Sequence, residues 1–161
     1  MNPEFLRDFD WVTSQMPRTA RAIAALPDLS GVRLACSMHL EIKMAPAMLG
    51  LLQRGAELFL ITCNPATVSD PFVEYCTAQG ARAFAARGMS KADHDRSILA
   101  ALDFAPTHLC EMGADLTAAL IAGQHSHCVC AGLEATGSGT TRLAALKGQI
   151  RSPRDFPEAN Q

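Results

Sequence analysis

Residues 54–70 read RGAELFLITCNPATVSD, and three signals in this stretch decide the fold. The glycine of Gly55-Ala56 supplies the left-handed residue that ends a helix. The run LFLIT at 58–62 is apolar without alternation, as in a strand covered on both faces. It then breaks into small polar residues: Cys63, Asn64, Thr67, Ser69 and Asp70. The same grammar recurs outward in both directions. Gly80-Ala81 opens a weaker run at 81–85, and further apolar runs lie at 32–37, at 108–110 behind Pro106, and at 128–131. Helical spacing or alanine-rich sequence fills 44–53, 71–79, 90–102, 115–121 and 139–147. Strand alternating with helix predicts an α/β domain of the three-layer αβα, Rossmann/flavodoxin-like kind with about five parallel strands. Two helices at 3–16 and 17–26 precede the sheet, forming a helical extension over residues 1–30 of a single domain at 1–150. The polar stretch RSPRDFPEANQ at 151–161 reads as a tail or an oligomer arm.

The chain has 161 residues, 48% of them hydrophobic and 19% charged, which suits one domain with an ordinary core and excludes disorder. A net charge of -2 offers nothing to a polyanion, so no nucleic acid partner is expected. No apolar stretch approaches the roughly 18–20 residues of a spanning helix, so no membrane partner is expected either. The start MNPEFLRDFDWV has no basic lead into an apolar run and does not read as a signal peptide. Six irregularly spaced cysteines do not read as a disulfide framework, and reduced thiols in the cytoplasm are the expectation.

In an open parallel sheet, ligands bind beyond the carboxyl ends of the strands where strand order reverses. That rule selects Ser37, His39, Glu41 and Lys43 after the first strand, and the Cys63–Asp70 group after the second. After the fourth and fifth strands it selects Glu111 and Asp115, then Glu134, Thr136, Ser138 and Thr140. Helix capping is the plainer account of Asp70, Asp115 and Ser138. His39 stands out because an imidazole at a strand end exchanges a proton near neutral pH, and Glu41, Glu111 or Glu134 could orient it. A satisfied core histidine is the alternative. Residues 132–141 (GLEATGSGTT) form a loop able to present backbone N–H groups to an anion, or simply a turn into a helix; they match neither the P-loop nor the GxGxxG pattern. QHSHCVC at 124–130 lacks the spacing of a zinc site, and no metal is expected. Cys128 and Cys130 read as buried strand residues, and Cys63 is the one thiol placed to act as a nucleophile.

In this order the motifs resemble the N-terminal substrate-binding domain of the S-adenosylhomocysteine hydrolase family. The carriers are Gly31-Val32-Arg33-Leu34-Ala35 with Met38-His39, Arg54-Gly55-Ala56-Glu57, Thr62-Cys63-Asn64 with Asp70, Gly113-Ala114-Asp115-Leu116-Thr117, and Glu134-Ala135-Thr136-Gly137-Ser138-Gly139. The resemblance implies adenosyl-group binding and carries over His39, Cys63, Asn64, Asp70, Asp115 and Thr136. It departs elsewhere. The family's adenine-holding threonine and glutamate become Glu41 and Lys43, a catalytic aspartate falls at Met112, and a ribose-binding glutamate falls at Ala135. The family's NAD-binding region has no counterpart in this sequence, so NAD is expected only from a partner.

Two functions follow. In the first, a small enzyme works without NAD on an adenosyl thioether, a sulfonium compound or a similar metabolite, by acid–base or group-transfer chemistry. Its catalytic set is His39, Glu41, Lys43, Glu111 and Glu134, and Cys63, Asn64, Thr67, Ser69, Asp70, Asp115, Thr136 and Ser138 bind substrate. In the second, the chain binds S-adenosylhomocysteine or a nucleoside without catalysis, or docks with another chain that supplies the missing groups. A homodimer or higher oligomer fits both readings, with Phe5, Phe9, Trp11 and Val12 covering the sheet's edge or forming the seam.

Overall fold

The computed structural model describes residues 3–123 and 129–147. Five parallel strands form one sheet: β1 (Arg33–Met38), β2 (Glu57–Thr62), β3 (Arg82–Ala83), β4 (His108–Glu111) and β5 (Ala131–Glu134), in the spatial order β3-β2-β1-β4-β5. The helices are α1 (Pro3–Ser14), α2 (Pro17–Ala24), α3 (Ala45–Gln53), α4 (Asp70–Ala78), α5 (Lys91–Asp103), α6 (Asp115–Ala122) and α7 (Gly137–Leu146). Strand order runs outward from β1 to β3, jumps back to β4, and runs outward again to β5. The reversal therefore lies between β1 and β4.

Successive strand residues feed two cores, as a pleat with both faces covered requires. Cys36, Met38, Leu58 and Leu60 pack with Met48 and Leu49 of α3 and with Phe72 and Cys76 of α4. Ala35, Ile61 and Leu109 face Ala101 and Leu102 of α5 and Leu116 of α6. The N-terminal helices add to the first layer and do not cover the sheet's edge. Phe5 and Phe9 contact the Tyr75 ring of α4, while the side chain at Gly50 is absent where Ile23 of α2 presses on α3. Trp11 stays 67% exposed.

The fifth strand departs from expectation. It starts at Ala131, three residues beyond the predicted start at 128, and Ala131, Gly132 and Leu133 are exposed. An edge strand is buried on fewer sides, so an apolar run is a poor guide to it. Cys130 lies just before the strand and is exposed, against its reading as a buried strand residue; Cys128, with 124–127, lies outside the described residues. So does the segment from 148 onward, including the predicted tail at 151–161.

The exit of α5 tests the helix-stop logic. Ala105 adopts φ 54°, where glycine is usual, and its carbonyl accepts from Arg33 Nε at 2.7 Å. Ala105 is exposed. A Cβ in the left-handed region costs about 1 kcal/mol relative to glycine. Ala105→Gly should therefore raise stability by a few tenths to about 1 kcal/mol, read as a higher urea midpoint with an unchanged m-value.

Candidate functional site

The sheet's hydrogen-bond ladder runs on past the strand ends and sets the exits level. Cys63 N donates to Met38 O at 3.2 Å, Met112 N to Ser37 O at 2.8 Å and Ala135 N to Glu111 O at 3.0 Å. The first residues beyond β2, β1, β4 and β5 thus form a row: Cys63, His39, Met112 and Ala135. The predicted site residues do share one rim, and they divide into two knitted halves.

The first half joins the exits of β1, β2 and β3. Ser69 N donates to Leu40 O at 2.8 Å, and Gly88 N to Pro65 O at 3.0 Å. Asp70 accepts Arg87 N at 2.9 Å, and Arg87 Nη1 reaches Ala66 O at 3.2 Å. His39, half-buried, sits in this half with its Nδ1 2.8 Å from Thr67 Oγ1. The Thr67 hydroxyl has one hydrogen and lies 2.9 Å from Asn64 O, so the arrangement that satisfies both contacts has Thr67 donating to Asn64 O and accepting from His39. In that arrangement the neutral imidazole is the Nδ1–H tautomer, and Nε2 keeps its lone pair. Asn64 Oδ1 is occupied by Ala66 N at 3.0 Å, which leaves the Asn64 amide NH₂ to donate elsewhere. Glu41 pairs with Lys43 at 3.0 Å, with side chains 42% and 67% exposed. That pair orients one another and contributes at most a few tenths of a kcal/mol to stability.

The second half joins the exits of β4 and β5, and here the expected acids have a different task. Glu111 is 2% exposed. Its carboxylate accepts Leu116 N at 2.8 Å, Thr117 N at 3.2 Å and the Thr117 hydroxyl, filling the amides at the start of α6. Burial pushes its carboxyl above the ordinary range, and the nearby Glu134 charge adds to this, while the Thr117 hydroxyl and the two amides pull the other way. Glu134 accepts Gly113 N at 3.0 Å, Ala114 N at 2.9 Å, and both Thr136 N and Oγ1 at 2.7 Å. Burial alone would raise this carboxyl; the Thr136 hydroxyl and amide, with the Gly113 and Ala114 amides, outweigh it and hold the group below its usual 4.5. The two glutamates expected to orient His39 are instead spent on backbone N–H groups, because strand-end carboxylates lie beside the open amides of the following helices.

Thr136 caps α7 by accepting Gly139 N at 2.9 Å, while Ser138 is exposed beside it at 3.2 Å. Asp115 pairs with Arg142 of α7 at 2.5 Å, and the same guanidinium nitrogen donates to Gly113 O at 2.9 Å. The halves meet at Cys63. Partial burial, then the charges of Asp115 and Glu134, push its thiol above the ordinary value, which opposes a thiolate nucleophile.

One cavity among all these residues was the expectation; of two hollows, one takes in only Glu111 and Glu134 of the predicted site and the other none of it. A groove of about 330 Å³ is lined by Glu111 and Glu134 with Leu109, Leu120, Leu133 and Leu143. A larger one of about 680 Å³ lies between α1, α2 and α3, bordered by Phe9, Ile23, Leu49 and Arg54. His39, Asn64 and Asp70 border neither; they stand on an open rim. Sequence reasoning also passed over His94 of α5, whose Nε2 lies 2.7 Å from Thr62 O, and Arg142. A histidine in the first turn of the helix after β3 was the available signal for His94. No three His, Cys, Asp or Glu side chains gather in a metal-binding group among the described residues. No described helix is long and apolar enough to cross a membrane.

Comparison with known proteins matches this sequence to one family. The family model described as S-adenosyl-L-homocysteine hydrolase covers residues 13–158. An adenosylhomocysteinase of Pyrococcus abyssi is 30% identical over 151 residues, 90% of this chain and 36% of its own length. One of Thermotoga maritima is 29% identical over 153 residues, 89% of this chain and 37% of its own. An S-inosyl-L-homocysteine hydrolase of Methanococcus maripaludis is 27% identical over 152 residues, 89% of this chain and 36% of its own. The chain spans little more than a third of the length of these relatives. On the family model's match over residues 13–158 and 30% identity across 90% of its length, this chain belongs to the S-adenosyl-L-homocysteine hydrolase family.

Proposed function

We propose that this chain is a nucleoside-thioether binding domain in which His39 Nε2 is the proton acceptor. The observation that carries the reading is the chain His39–Thr67–Asn64, whose contacts are all satisfied when the imidazole is in the tautomer whose outer nitrogen accepts. The remaining rim supplies the Asn64 amide as a donor and the Glu41–Lys43 pair as a mixed donor and acceptor. Met112 and Ala135 stand in the row where the family resemblance implies two acids, so ribose oxidation is not this chain's own chemistry. The site stands open, and a further stretch of polypeptide, covalently continuous or a partner, would close it and contribute NAD or the missing acids. His39 would then hold and return a proton at the ligand's ribose or sulfur side, with no cofactor bound by the residues described.

The first reading, an NAD-independent enzyme complete in itself, is supported by one feature: charge persists at 41 and 43. The same pair bears on the base. By the resemblance these positions face the purine, and a lysine only donates, so it suits a 6-oxo group better than a 6-amino group. Relatives named for S-inosyl substrates make both bases worth testing.

The experiment is calorimetry and thermal shift with S-adenosylhomocysteine, S-inosylhomocysteine, S-adenosylmethionine, adenosine and NAD. A ligand at 100 times its Kd adds about 2.7 kcal/mol, a melting shift of roughly 5–10 °C for a chain of this size. One thioether nucleoside should give that shift and NAD should not. His39→Ala should weaken binding about tenfold, the value of one good hydrogen bond to a charged or strongly polar group. Lys43→Glu should move preference from the inosyl toward the adenosyl compound. No shift with any nucleoside, or an unchanged affinity in His39→Ala, would overturn the reading. Turnover by the isolated chain would establish the NAD-independent enzyme instead.

A further inference from the structure

We propose that Asp70 and Arg87 determine specificity for the charged end of the ligand, Arg87 taking an α-carboxylate and Asp70 an α-ammonium group. The proposal rests on the reading of this rim as a nucleoside-thioether site. It narrows that class to thioethers whose far arm is an α-amino acid.

The two charges are fixed side by side without cancelling. Asp70 opens α4 and spends Oδ1 on the backbone N–H of Arg87 at 2.9 Å. The Arg87 guanidinium reaches past it and donates from Nη1 to Ala66 O at 3.2 Å. Among the described residues Arg87 pairs with no carboxylate, and no side chain or loop amide donates to Asp70 Oδ2. One open acceptor therefore stands beside the remaining N–H donors of a guanidinium. Both residues are exposed, so a ligand can reach them. The other cations of the rim are engaged, Lys43 with Glu41 and Arg142 with Asp115.

Backbone contacts hold the pair next to His39. Gly88 N donates to Pro65 O at 3.0 Å, which ties the loop after β3 to the turn after β2. Ala66, the partner of Arg87, precedes Thr67, whose Oγ1 lies 2.8 Å from His39 Nδ1. The imidazole and the charged pair thus touch neighbouring residues of one short turn. A ligand laid across that turn meets His39 with one part and the charged pair with another. The pair suits a zwitterion. A lone anion at Arg87 would meet the Asp70 carboxylate, and a lone cation at Asp70 would meet the guanidinium. A carboxylate and an ammonium group on one carbon answer both, and the planar guanidinium matches a carboxylate in particular.

Calorimetry tests this with four probes, each in the adenosyl and the inosyl series. They are the S-nucleosyl-homocysteine, its carboxyl methyl ester, its N-acetyl derivative, and the 5′-methylthionucleoside, which lacks the arm. Wild type should bind the homocysteine compound about tenfold tighter than the methylthionucleoside, the leverage of one hydrogen bond between charged groups. Arg87→Ala leaves the backbone N–H for Asp70. It should lose about that factor for the homocysteine compound and nothing for the methyl ester or the methylthionucleoside. Asp70→Asn keeps an acceptor for Arg87 N and removes the charge. It should weaken the homocysteine compound and spare the N-acetyl derivative. An equal fall for every probe in Arg87→Ala would make the arginine a mere support of the turn and overturn the proposal. So would an unchanged affinity for the homocysteine compound in that variant. Equal wild-type affinity for the homocysteine compound and the methylthionucleoside would overturn it too, and leave the nucleoside-thioether reading standing. Binding of no probe at all would end both.

Discussion

Glu111→Ala should destabilise the domain by about 3–5 kcal/mol, the cost of deleting a buried, fully hydrogen-bonded charge and stranding its partners. Leu116 N, Thr117 N and the Thr117 hydroxyl all lose their acceptor at the start of α6, and water does not reach a residue that is 2% exposed. Urea unfolding should show the midpoint falling with an unchanged m-value, and the melting temperature dropping by roughly 10 °C or more. Glu111→Gln keeps one acceptor oxygen and should lose less. If Glu111 were a free acid of the site instead of a helix cap, Glu111→Gln would leave stability alone and reduce ligand binding.

Gly139→Ala should lower stability by about 2 kcal/mol through a different route. A Cβ at 139 would stand 2.1 Å from the Glu134 carboxyl carbon. The tip of a free glutamate would step aside at little cost. This one is held by the amides of Gly113, Ala114 and Thr136 and by the Thr136 hydroxyl, so moving it breaks hydrogen bonds to a charged acceptor. The linkage to pH follows. The folded Glu134 carboxyl lies below the unfolded value of 4.5, so its contribution is present above pH 4.5 and fades as pH falls through the folded value. Wild type should therefore lose stability below about pH 4.5, whereas Glu134→Gln and Gly139→Ala should show a flatter acid limb. An acid limb of unchanged slope in Glu134→Gln would mean that the nest of amides does not hold the charge.

Both results turn on residues whose types were visible and whose tasks were not. Glu111 and Glu134 were singled out as acids at strand ends, and strand ends are where they are. Their hydrogen-bond partners, however, lie in loops and in the first turn of α6, 2 to 21 positions away, and no local pattern says that an amide will point at a carboxylate. The same holds for Arg142, which clamps Asp115 and the Gly113 carbonyl from α7, 27 and 29 positions on. His39 with Thr67, and His94 with Thr62, were equally hidden, because each pair joins two exits that meet only once the sheet is assembled.

Apolar runs, glycine stops and helical spacing suffice for the α/β architecture, because burial on both faces of β1 and β2 leaves its mark on every residue of those strands. They suffice too for placing His39, Cys63 and Asn64 at strand exits, since a parallel sheet has only one carboxyl edge. β5 was misplaced because an edge strand escapes that selection. Which acids cap helices, which imidazole nitrogen is free, and where the hollows open depend on the ladder register between β1, β2, β4 and β5. Register is a contest among whole strands, decided by packing and hydrogen bonds between segments far apart in the chain, so only the folded molecule contains the answer.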